Sequence, residues 1–218
     1  MELITIQTPK AYENLITNGY LIADEKYINL KKYGAAYDWI ISKMHEKNIP
    51  EAVKYPLWAW RKCGKFKCPN KNTMLGYFGA GQEQLVKIVF EKPDNEVLLT
   101  DYKLYHFLLT NAYLPTSLED LNAFNKLKIK SNVTDEDLLA FIRRDKYDSY
   151  RTDKDFSYIN QVIHKSYEKV LNLSSDYIQA CVWNIKLSEV KSVQFIERNE
   201  CKKHKSIDYR EEYINSLK

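Results

Sequence analysis

Glycine is scarce in this chain, with 6 in 218 residues. None of them stands in a Gly-rich phosphate loop or a nucleophile elbow, which excludes the commonest nucleotide and acyl-transfer signatures. Cysteine is also sparse. Cys63, Cys68, Cys181 and Cys201 do not form the dense spacing of a disulfide framework. No apolar run approaches the length needed to span a bilayer, so no membrane partner is expected. There is no basic segment followed by an apolar stretch at the start, and a cytoplasmic protein is the expectation. Charge of one sign is missing too. A net charge of +4, with Lys and Asp/Glu interspersed, supplies no strong polyanion-binding field.

What is present is ordinary for one globular domain: 44% apolar and 28% charged residues. Tyr is abundant, at 17 residues, which fits an AT-rich coding sequence as well as a Tyr-lined surface. The pattern of elements begins with a strand at 3–7. A helix follows, with Thr8 as cap, Pro9 in its first turn and Gly19 as its stop. A second helix is expected near 34–47 and strand character at 53–62. Strands follow at 85–90 and 97–100, separated by the turn Pro93-Asp94-Asn95.

The middle then turns helical. Asp101 and Ser117 read as caps, and Thr134-Asp135-Glu136-Asp137 has the form of a capping box. The clearest helix is expected over 156–171. Strands at 177–185 and 190–196 complete the pattern. The order predicts an α+β fold, with a bent or split, mainly antiparallel sheet and surrounding helices. It reads as one domain over 1–200 with a helical insertion at about 101–171. A charged C-terminal tail follows at 201–218.

Three strand-like segments carry Gln or Trp among apolar residues: Ile4–Thr8, Tyr55–Trp60 and Ile178–Trp183. Trp58 and Trp60 share a strand face by the period of two, and form either a stacking wall for a planar ring or an aromatic core strand. Gln7 and Gln179 place amides, which donate and accept at once, inside apolar strands. They read either as ligand contacts or as the strand's solvent side. Asp101 and His106 are the acid–base candidates, although a capping Asp101 has its carboxylate occupied by backbone N–H groups. Cys63, Cys68, Cys201 and His204 carry a minor reading as zinc ligands, against ordinary reduced thiols. No metal is assigned.

The combination resembles a bacterial family known only as domain of unknown function 3841. It is carried by Thr5-Ile6-Gln7 before the Gly19-terminated helix, Tyr55-Pro56-Leu57-Trp58-Ala59-Trp60, Val97–Asp101 leading to His106, and Gln179–Trp183. The resemblance covers about residues 2–197. More distantly, the layout is similar to ADP-ribosyltransferase folds, in which three separated strand motifs line a cleft for NAD. That likeness implies a nucleotide ligand, with Gln7 in the first motif, Trp58 and Trp60 near the second and Gln179 in the third. The third motif usually bears a catalytic Glu, and Gln179 lacks its charge. Two readings follow. One is an NAD- or nucleotide-binding domain. The other is a non-catalytic module that recognises a protein, or a nucleic acid, although the mild charge disfavours the latter.

Overall fold

The computed structural model describes residues 1–49, 53–70, 84–143, 151–197 and 209–218. The chain forms two compact units. One comprises Met1–Glu25, Ile41–Thr100 and Ser175–Ile207; the other comprises Lys26–Ile40, Asp101–Ser174 and Asp208–Lys218.

The first unit is built on a six-stranded, mainly antiparallel sheet. Its strands are β1 (Glu2–Gln7), β3 (Leu57–Cys63), β4 (Gln84–Glu91), β5 (Leu98–Asp101), β6 (Tyr177–Val182) and β8 (Val190–Glu197). Their order is β5-β6-β3-β1-β4-β8. β2 (Tyr20–Ile22) and β7 (Asn184–Lys186) form a separate antiparallel pair. With seven helices among the described residues, the chain is α+β, as its element order predicts.

β1 is central and is buried from Leu3 to Ile6, so it reads as an apolar run rather than an alternating one. Helix α1 (Pro9–Asn18) starts where the Thr8 hydroxyl accepts from Ala11 N–H. It stops at Gly19, whose φ of 79° is a left-handed value that favours glycine. The single strand expected over 177–185 is broken at Trp183. That residue is 3% exposed, and its indole N–H donates to the Ile49 carbonyl at 3.3 Å. The buried ring fixes a corner, sending Asn184 onward into the small sheet.

Register partners in antiparallel strands share a face. On the first face, Leu3, Leu57, Ala59, Val86, Ile88, Phe90, Ala180 and Val182 pack with Leu15 of α1 into one apolar cluster. On the second, Ile4, Ile6, Leu85 and Ile196 form a smaller cluster. Beyond β4, Lys92 is 3% exposed. Its ammonium donates to Glu189 at 2.8 Å and to Glu96 and Asn184 at 3.1 Å each. All three of its donors are met, which is what permits a buried cation.

The second unit is helical. It takes α2 (Leu30–Glu46) as far as Ile40. It also holds α3 (Tyr102–Leu108), α4 (Leu118–Lys130), α5 (Asp135–Ile142), α6 (Lys154–Ser166) and α7 (Tyr209–Ser216). Asp101, Ser117, Thr134 and Asp153 cap α3 to α6 by accepting backbone N–H groups, and Thr134 with Asp137 closes a capping box.

The helix expected over 156–171 ends as an α-helix at Ser166 and continues as a 3-10 turn over Tyr167–Asn172. The Ser166 hydroxyl donates to the Ile163 carbonyl at 2.6 Å and accepts from Leu114 N–H at 3.0 Å. That side chain competes for the backbone where the helix tightens. α7 sets Tyr213 edge-on against Phe107 at 5.6 Å, and the Tyr213 hydroxyl donates to the Pro115 carbonyl at 2.8 Å.

Candidate ligand-binding face

The strands bearing the three Gln/Trp segments are neighbours in the middle of the sheet, in the order β6-β3-β1. Trp60 is the register partner of Gln179 on one side and of Ile4 on the other. Trp58 lies opposite Cys181. Trp58, Trp60 and Gln179 therefore share the second face of the sheet with Ile4. Trp60 is 7% exposed and is a core residue, whereas Trp58 and Gln179 are half-buried.

Gln7 is placed apart from them. It alternates with Ile4 and Ile6, so it shares the first face with Leu3 and Thr5. Its amide N–H donates to the Thr5 hydroxyl at 2.8 Å, which in turn donates to the Trp58 carbonyl at 2.9 Å. The β1–β3 register puts Gln7 level with Leu57, three residues from Trp60, or about 10 Å along the strands. The two amides thus stand on opposite faces.

Asp101 and His106 belong to the helical unit. Asp101 is fully buried and accepts from Lys103 N–H at 3.0 Å and Leu104 N–H at 3.2 Å, the work of an N-cap. His106 Nδ1 donates to the Tyr102 carbonyl at 2.8 Å, since a carbonyl can only accept. Its ring packs against Tyr102 and Tyr209 at 4.8 and 4.7 Å. These contacts define a capped helix and an aromatic cluster.

Sequence reasoning missed a hollow of ≈ 820 Å³ on the sheet's second face. Ile4 and Ile196 floor it, Lys87 and Gln194 rise from β4 and β8, and the segment after β3 adds Cys68 and Asn70. Lys87 lies between its register partners Ile6 and Gln194. A lysine inside an apolar strand was the available signal. Phe66 and Lys67 also line the hollow, and Phe66 is 70% exposed. Lys67 is held by Glu2 at 2.6 Å, and that ion pair holds the Glu2 carboxyl below its ordinary value. Glu197 adds a negative group to the rim and accepts from the Gln84 amide.

A β-bulge at Arg61 brings Cys63 opposite Tyr177, and so onto the same face as Gln179. Burial, and then the neighbouring Cys68, push the Cys63 thiol up to about 11. Burial also raises the Cys68 thiol, with Lys87 pulling the other way. These are protonated, unreactive thiols at neutral pH. Cys201 and His204, the other members of the zinc reading, lie outside the described residues. Among the described residues no group of three or more His, Cys, Asp or Glu could hold a metal ion. No described helix is long and apolar enough to cross a membrane.

The family whose profile matches residues 2–191 is described as Domain of unknown function (DUF3841). The chain belongs to the DUF3841 family. No curated protein and no solved structure matches it. The match includes all three Gln/Trp segments of this DUF3841 chain.

Proposed function

We propose that the sheet unit binds an anionic, ring-bearing ligand of the nucleotide class, with NAD and ADP-ribose as its type compounds. The observation that carries this is the adjacency of the three motif strands, β6-β3-β1, beside a hollow floored by Ile4. A volume of ≈ 820 Å³ falls within the range of small-molecule sites. Lys87 and Lys67 supply cations for a phosphate, Gln194 and Asn70 supply amides, and Phe66 supplies aromatic surface.

The residues fit binding better than transfer. In an ADP-ribosyltransferase-like arrangement a carboxylate steadies the ribosyl cation, and Gln179 has no charge to give it. The reading is therefore a binding domain, and no transfer step is assigned to Gln179, Asp101 or His106. Gln7, on the other face, acts as a brace for Thr5.

Thermal unfolding with NAD, ADP-ribose and nicotinamide tests this. NAD and ADP-ribose raise the midpoint, and nicotinamide alone does not. At a hundredfold excess over Kd the native state gains about 2.7 kcal/mol. Lys87→Ala and Phe66→Ala abolish the shift, whereas Lys65→Ala leaves it. If no nucleotide shifts the midpoint at millimolar concentration, or if Lys87→Ala leaves the shift intact, the reading fails.

A further inference from the structure

β8 is the last strand of the large sheet among the described residues, and it is the most exposed. An eight-residue edge presents a row of backbone donors and acceptors to solvent, and folded proteins usually blunt such an edge. Here the edge carries Phe195, 51% exposed, which meets Tyr12 of α1 edge-on at 5.7 Å. Ile16, one helical turn beyond Tyr12, is 49% exposed. An edge strand and an apolar patch therefore adjoin each other.

We propose that β8 pairs antiparallel with β8 of a second copy of this chain, joining two sheets into one. A two-fold axis between such strands runs perpendicular to the sheet, so each residue must meet a partner on its own face. Val193 and Phe195 lie on the first face, opposite Ile88 and Val86. Gln194 and Ser192 lie on the second, opposite Lys87 and Val89. The face rule restricts the axis to a residue position.

With Gln194 on the axis, Val193 meets Phe195 of the second copy, Ser192 meets Ile196, and Lys191 meets Glu197. Moving the axis to Phe195 puts Glu197 against Val193. Moving it to Val193 puts Lys191 against Phe195. Of these three registers, only the one centred on Gln194 sets Val193 against Phe195 and Lys191 against Glu197.

Lys191 is the extra residue at the Val89/Phe90 bulge, is half-exposed, and holds Glu91 at 2.8 Å. In the dimer it gains a second carboxylate. The amides of Gln194 from both copies meet on the axis, at the rim of the hollow that Gln194 lines.

A seam of one strand is small beside an obligate interface, so the dimer is concentration-dependent. Sedimentation velocity of the full chain over a concentration series measures it. The expected result is a monomer–dimer equilibrium. Lys191→Glu sets two like-charge pairs across the seam and raises the dissociation constant roughly tenfold. Adding Glu197→Lys in the same chain restores dimerisation, because the register makes those positions partners. Phe195→Lys, at an exposed position that leaves the fold intact, weakens the dimer independently.

A monomer at every concentration overturns the proposal. So does a dimer indifferent to Phe195→Lys, or one weakened by Lys191→Glu that the double exchange fails to rescue. Heterologous capture of an extended peptide on a strictly monomeric chain would likewise replace the second copy with another partner.

Discussion

The sheet unit and the helical unit each hold a charge in a hydrogen-bond network, buried in the first and partly exposed in the second, and they do it over different distances along the chain. In the sheet unit the charge is the Lys92 ammonium, whose partners Asn184 and Glu189 lie 92 and 97 residues away in sequence. In the helical unit it is the Asp120 carboxylate, which accepts from the Tyr113 hydroxyl and from the Thr116 N–H and hydroxyl, within seven residues. The local network forms as its turn forms. The distant one exists only when β4 and the β7–β8 corner have met. Polar groups that close short loops organise a segment, whereas those that close long ones depend on the whole sheet.

The sharpest way to break the contrast is in the core of the sheet unit. Phe90→Ala removes a fully buried ring and is expected to cost about 3–5 kcal/mol, read as a fall in the urea midpoint. Next comes Lys92→Met. It keeps the volume but strands Glu96, Glu189 and Asn184, at a cost of about 3 kcal/mol. Full stability in Lys92→Met would show that the distant network is ornamental.

Asp120→Asn is smaller, about 1.5 kcal/mol, because its donors stay close to water. It also has a pH signature. Burial raises the Asp120 carboxyl, but the hydrogen bonds from Tyr113 and Thr116 and the charge of Lys169 outweigh it, and the net shift is downward. The stabilisation is therefore present above the ordinary value of 3.8 and is lost as the pH falls below it toward the depressed folded value. Denaturation midpoints from neutral pH down to acid should show this limb in the native chain and lose it in Asp120→Asn.

Gly19→Ala comes lower still. There is open space for a Cβ, but the φ of 79° remains, so about 1 kcal/mol is expected from backbone strain alone. The smallest effect is chemical. With its pKa pushed up to about 11, Cys63 carries roughly two orders of magnitude less thiolate at neutral pH than an ordinary cysteine. Peptide mapping after brief iodoacetamide treatment should find it nearly unlabelled.

The same contrast explains what was legible in the sequence. Caps are local chemistry, and Thr8, Asp101, Ser117 and Thr134 marked where their helices begin. β1, β4 and β8 were legible as strands, and the α+β class followed from the order of strands and helices. The corner at Trp183 was not, because the groups that bury its ring are remote in sequence. The same holds at the candidate site. Period-two spacing placed Trp58 and Trp60 on one face, but the face of Gln7 relative to Gln179 depends on strand register, which only the paired strands define. Lys87 escaped notice because a lysine among valines and isoleucines looks solvent-directed until its neighbours Ile6 and Gln194 are known.

The bulge at Arg61 behaves like a frameshift in a two-letter code. Upstream of it, even-numbered residues of β3 belong to the second face; downstream, odd-numbered ones do, with Lys62 opposite Ile178 and Cys63 opposite Tyr177. Pairing Arg61 with Ile178 in a regular ladder would keep the original phase, turning Cys63 away from the side of the sheet that holds Cys68 and presenting Lys62 there instead. One residue without a cross-strand partner thus decides whether the end of β3 offers that surface a thiol or a charge.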